Sequence, residues 1–113
     1  MKIINTTRRT ILAERAEVAD SFYSRMVGLL KRKSFVAGEA LVITHCQSIH
    51  MFFMKFAIDV IFADKNDRVV GLVRNIKPFR LSPVYFQASY AVEIPAGIIE
   101  RSGTVCGDQL TLG

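Results

Sequence analysis

The sequence predicts a mainly β fold: a sandwich or partly closed barrel of jelly-roll type, with one α-helix capping a side. Three observations lead there. Short apolar runs recur along the chain and are separated by turn-prone residues. In the densest run, Phe56 to Ala63, apolar residues occupy both alternating sets, as a central strand covered on each side requires. Only the stretch from Asp20 to Lys33 shows sustained helical spacing. The 113 residues fit one domain, 1–113, able to bury roughly two thirds of the surface exposed by its unfolded form.

Taken in order, residues 2 to 18 alternate loosely and Asn5-Thr6-Thr7 supplies a turn, so an N-terminal hairpin is expected. From Asp20, Phe22, Met26 and Leu29 recur at helical spacing, and Tyr23, Val27 and Leu30 widen that face. Asp20 or Ser21 offers an N-cap oxygen, and Lys31, Arg32 and Lys33 stand at the end where the helix dipole favours cations. Gly28 costs this helix about 1 kcal/mol relative to alanine and fits close approach to a sheet. Gly38 marks a turn, and Glu39 to Ile43 reads as a short buried strand.

Residues 56 to 74 read as an antiparallel hairpin, because polar Asp64-Lys65-Asn66-Asp67 separates the central run from Val69, Val70, Leu72 and Val73. Between Asn75 and Pro83 two prolines and three basic residues break any pattern, giving a surface loop that crosses one end of the sheet. Tyr85 to Ile94 is strand-like, Pro95-Ala96-Gly97 stops it, Ile98 to Arg101 makes a turn of helix, and Gln109 to Leu112 is a last strand.

Composition narrows the function classes. The charge of +5 and pI near 9.6 permit anionic partners without requiring them. The excess sits at Arg8 and Arg9, at Lys31 to Lys33, and at Arg74, Lys77 and Arg80; none is read as an aromatic-interleaved platform for bases, so nucleic acid is not the expected partner. No run reaches the roughly 20 apolar residues of a membrane span, and no leader is evident, which makes the cytoplasm the expected location. Cys46 and Cys106 are then expected as reduced thiols. No cofactor is called for.

The stretch His45 to Asp64 concentrates the chemistry. Cys46, His50 and Met54 form a soft ligand set for copper, or zinc at the first two. Residues four apart on a straight strand lie about 13 Å apart, so packing of Cys46 and Met54 in the core is the stronger reading. Cys46 with His45 or His50 could form a thiolate and its base, but no orienting third group is evident. Asp59 and Glu93 each interrupt an apolar strand and must be paired or hydrogen-bonded there. Either they accept bonds from backbone amides or an arginine such as Arg74 or Arg80, or they stand together at a pocket mouth as acid and base. Phe52, Phe53, Phe56, Phe62, Phe79, Tyr85, Phe86 and Tyr90 are expected mainly as core, with the lining of an apolar pocket closed by the 75–83 loop as the alternative for some of them.

The blocks CQSIHMFFMKFAIDVIFAD and AVEIPAGIIERSGTVCGDQL, with the valine-rich strand and Pro-rich loop between them, resemble the domain of unknown function 192 (DUF192) family over nearly the whole chain. Met54, Asp59 and Phe62, Pro78, Glu93, Ala96 and Gly97, and Gly107-Asp108 carry the resemblance. It implies a compact sandwich or jelly-roll fold and no established activity. Many members resemble exported proteins with a leader. The expectation is a non-enzymatic β-domain that binds a small ligand or a partner segment at one end of the sheet, near Met54, Asp59, Glu93, Pro78 and His50. The rivals are a small hydrolase or metal-dependent protein using His50, Asp59 and Glu93, and a basic RNA-contacting module using Arg74, Lys77 and Arg80.

Overall fold

The computed structural model describes residues 1–19, 35–51 and 54–113. The helix expected from Asp20, together with Gly28, Phe52 and Phe53, lies outside the described residues. The described chain is mainly β, as its composition and alternation predict. Its strands are β1 (Ile3–Asn5), β2 (Thr10–Ala13), β3 (Arg15–Ala19), β4 (Glu39–Thr44), β5 (Ile58–Ala63), β6 (Val69–Ile76), β7 (Tyr90–Pro95) and β8 (Leu110–Leu112), with one short helix, α1 (Ile98–Ser102).

Among the described residues they form two sheets, β2-β1-β8 and β3-β4-β7-β5-β6, and close no barrel. The sandwich alternative is therefore the architecture. Ile3, Leu12, Ala13 and Leu110 of the smaller sheet meet Val42, Ile61, Val92 and Ile94 of the larger, with Ile98 and Ile99 of α1 filling the same layer. This is the first face of the large sheet. Its second face carries Leu41, Ile43, Ile58, Val60, Phe62 and Ala91, packed with Cys46, Ile49, Met51, Met54 and Ala88. Apolar residues at both parities of β5 and β7 follow from burial of both faces.

The β5–β6 hairpin forms as expected. Asp64 Oδ1 accepts bonds from the N–H groups of Asn66 and Arg68, and Asp67 takes a left-handed φ of 62° to close the turn. The N-terminal hairpin is shorter than predicted. Its paired strands are β1 and β2, beyond which Met1 and Ala16 still exchange backbone bonds; from Arg15 the chain joins the large sheet, where β3 runs parallel to β4. The Gly38 carbonyl drives that departure by accepting bonds from the N–H groups of both Glu14 and Arg15. β7 starts at Tyr90 and not at Tyr85, because Tyr85 to Ser89 form a turn closed by Ala88 N–H on the Tyr85 carbonyl. Nor does the loop after β6 merely cross one end of the sheet. Residues 77–89 run antiparallel beside 45–51, and the two irregular segments together cover the second face.

Candidate functional site

Asp59 lies in β5 on the first face, since its neighbours in the strand, Ile58 and Val60, belong to the second-face cluster. The carboxylate is buried and accepts three backbone bonds: Asn75 N–H on Oδ1 at 2.8 Å, and Gly97 and Ile99 N–H on Oδ2 at 3.0 and 2.9 Å. Each bond has a structural consequence. Asn75 stands at a bulge, where the register slips between Ile58 and Val60, and its φ is 50°. Gly97 and Ile99 open α1, whose five residues have no side-chain cap from Gly97 itself. Asp59 thus supplies the missing acceptor at a helix start and fixes a bulge in β6. Backbone amides, and not Arg74 or Arg80, neutralise it in hydrogen-bonding terms.

A second buried acid was not singled out for chemistry by sequence reasoning. Asp108 Oδ2 accepts bonds from Asn5 Nδ2, Arg8 Nε and Val105 N–H, each at 3.0 Å. Asn5 also donates to Thr104 Oγ1, which lies 2.7 Å from Ser102 Oγ. Burial alone raises the Asp108 carboxyl; the Arg8, Asn5 and Val105 donors outweigh it and hold it below the usual carboxylate range. This network ties the first strand to the last turn. Tyr90 likewise donates its hydroxyl to Asp67 Oδ1 at 2.9 Å, and its phenol is raised by burial, that bond and the acids Asp67 and Asp64. No spacing rule signals partners a hundred residues apart.

Glu93 pairs with Leu41 and Val60 and shares the second face with them, so it points away from the layer holding Asp59. The two acids do not form one acid–base pair, and Asp59 does not join His50 and Glu93 in a hydrolytic site. The remaining candidates gather on the second-face side. Met54 is buried in its cluster, His50 bridges to Leu81 between the two covering segments, and Pro78 lies half-buried just after β6. Cys46 is buried, with its Sγ 3.1 Å from the Ser48 carbonyl, while Cys106 is exposed; neither is in a disulfide. Among the described residues no three His, Cys, Asp or Glu side chains are grouped to hold a metal ion.

The covering segment 77–89 is built firmly. Phe79 N–H bonds to the Met51 carbonyl and Met51 N–H to the Arg80 carbonyl, both at 2.8 Å. Ser82 N–H bonds to the Ile49 carbonyl at 2.9 Å, and Ser82 Oγ accepts from Ile49 N–H at 2.8 Å. Tyr85 packs inward on Phe62, with ring centroids 4.6 Å apart, and so close to Gly71 that a Cβ there would lie 2.4 Å from the ring. Outward, the same segment exposes Phe79 by 68%, Leu81 by 67%, Val84 by 50% and Phe86 by 81%. This corrects the expectation that Phe79 and Phe86 are core. Phe62 and Tyr90 are buried, as expected. Phe79, flanked by Lys77 and Arg80, also supplies the interleaved aromatic that the charge reading did not register. Its φ of 66° is rare for a bulky residue.

Among the described residues no helix is long and apolar enough to cross a membrane. The fold resembles a protein of unknown function from Novosphingobium aromaticivorans, with a TM-score of 0.82 at 21% identity over 98% of this chain and 82% of the other. UPF0127 proteins of Pyrococcus horikoshii and Pyrococcus furiosus are 35% and 37% identical, each across 96% of this chain and 96% and 95% of their own lengths. The DUF192 family model, described as an uncharacterized ACR, matches residues 3–112. With the match running from β1 to β8, this chain belongs to the DUF192 family.

Proposed function

We propose that this protein is a non-enzymatic binding domain whose working surface is the segment following Pro78, from Phe79 to Phe86. One observation carries the reading: four large apolar side chains stand exposed in a short, hydrogen-bonded segment flanked by Arg74, Lys77 and Arg80. A single exposed hydrophobic needs no explanation, but four within eight residues of one segment do. Strain points the same way. Holding Phe79 in the left-handed region costs about 1 kcal/mol, a cost met by its bond to the Met51 carbonyl, which keeps the ring turned outward. Asp59 serves this surface at one remove, by fixing the end of β6 from which the segment departs.

The rival hydrolase reading draws no support from the dispersal of Asp59, His50 and Glu93. Amide shift mapping separates the two. Labelled protein is titrated with phosphatidylglycerol bicelles, an acidic apolar peptide and oligouridylate in turn. The reading expects at least one probe to shift resonances within residues 77–87. Shifts centred on His50 and Glu93 that leave 77–87 untouched, or no shift there with any probe, contradict it.

A further inference from the structure

Resting on that reading, we infer that the occupant of the Phe79–Phe86 surface is the face of an anionic lipid bilayer. Charge gives the sign of the partner. From residue 68 to residue 92 the sequence holds Arg68, Arg74, Lys77 and Arg80 and no Asp or Glu, so nothing in this stretch repels a negatively charged surface. Shape and side-chain type give its kind. Phe79, Leu81 and Phe86 protrude with two thirds or more of their surface exposed, which suits insertion into a soft interface. Stacking on bases uses rings alone, whereas Leu81 and Val84 make this row half aliphatic.

The backbone is prepared for such a medium. Where headgroups thin the water, unpaired amides and carbonyls are costly, and here the N–H groups of Phe79, Ser82 and Tyr85 already bond inward to the Met51, Ile49 and Gln47 carbonyls, while Arg80 N–H closes a turn on the Lys77 carbonyl. The Phe86 carbonyl accepts a bond from Gln47 Nε2 at 2.8 Å. The segment therefore presents its side chains without needing to fold on arrival, and little ordering entropy opposes docking. Cations within a Debye length of an anionic leaflet each strengthen binding roughly fivefold, and three together on the order of a hundredfold.

The test is flotation of the whole protein with vesicles of phosphatidylglycerol and phosphatidylcholine in equal parts, against pure phosphatidylcholine. The wild type is expected to float with the anionic vesicles, to release at high salt, and to bind the neutral ones at least tenfold more weakly. The Phe79→Ser/Phe86→Ser variant and the Arg74→Gln/Lys77→Gln/Arg80→Gln variant are each expected to lose at least tenfold in binding while retaining the wild-type circular dichroism and melting transition. Ile11→Ser, an exposed apolar change on β2, is expected to float as wild type. Failure of the wild type to float with anionic vesicles, or flotation unchanged in both multiple variants, overturns the lipid assignment. If oligouridylate or the acidic peptide shifts residues 77–87 and vesicles do not, only the lipid assignment falls; if none of the three probes does, the binding surface itself falls.

Discussion

The two faces of the five-stranded sheet are covered in opposite ways. On the first face, regular structure meets regular structure: the small sheet and α1 bury aliphatic side chains, and Asp59 accepts bonds from three backbone amides. On the second, two irregular segments hydrogen-bond to each other, turn Ile49, Met51 and Tyr85 inward, and leave Phe79, Leu81, Val84 and Phe86 outside. The first face is arranged for stability. The second is stable only underneath, and its outer layer carries apolar surface that folding does not use. Asp59 and Asp108 thus hold the fold together, while Phe79 and Phe86 lie outside it.

The largest expected effect falls on the first face. Replacing Asp59 by Ala orphans three amides, two of them at the start of α1, and should cost about 3 kcal/mol or more in urea unfolding. Asp59→Asn keeps one acceptor oxygen and should cost about half as much. A loss below about 1 kcal/mol for the alanine variant would remove Asp59 from its anchoring role.

The next effect probes how the second face is sealed. Gly71→Ala drives a methyl group into the Tyr85 ring, and relief requires the 77–89 segment to lift from Phe62. A cost of about 1–3 kcal/mol is expected, with a crystal structure or ring-proton contacts showing Tyr85 displaced. Unchanged Phe62–Tyr85 contacts in that variant would mean the segment is not pinned there.

A smaller effect concerns the tie between the chain ends. The folded Asp108 carboxyl titrates below its unfolded value, so the unfolded state takes up its proton first as the solution is acidified. Its contribution is full above about pH 4 and is lost as pH falls through the lowered value. Because Arg8 is 43% exposed, the ion pair itself should be worth under about 1 kcal/mol. Urea midpoints measured from neutral to acidic pH should fall in wild type and fall less in Asp108→Asn, with parallel curves contradicting the assignment.

Much of the first face was legible in the sequence. An acid inside Phe56–Ala63 had to be satisfied, and Pro95-Ala96-Gly97 announced the turn whose Gly97 amide helps to satisfy it. Which groups would satisfy it was not legible, because the Asn75 bulge and the α1 amides reach Asp59 only through tertiary structure. The same limit hid the Asn5–Arg8–Asp108 network and the crossing of residues 15–19 into the large sheet. Glu93 and Asp59 looked like a pair, yet alternation sets adjacent-strand residues on opposite faces once the register Val60 opposite Glu93 is known. Phe79 and Phe86 misled for another reason: hydrophobicity predicts burial only on average, and these two exposed rings depart from it.

The division between the two faces is tested most directly by the urea midpoint of Phe79→Ser/Phe86→Ser measured beside that of Asp59→Ala. The account predicts that the double variant unfolds at or above the wild-type midpoint while Asp59→Ala unfolds far below it. A double variant destabilised as deeply as Asp59→Ala would show both rings to be core, and the outer surface proposed for partners would not exist.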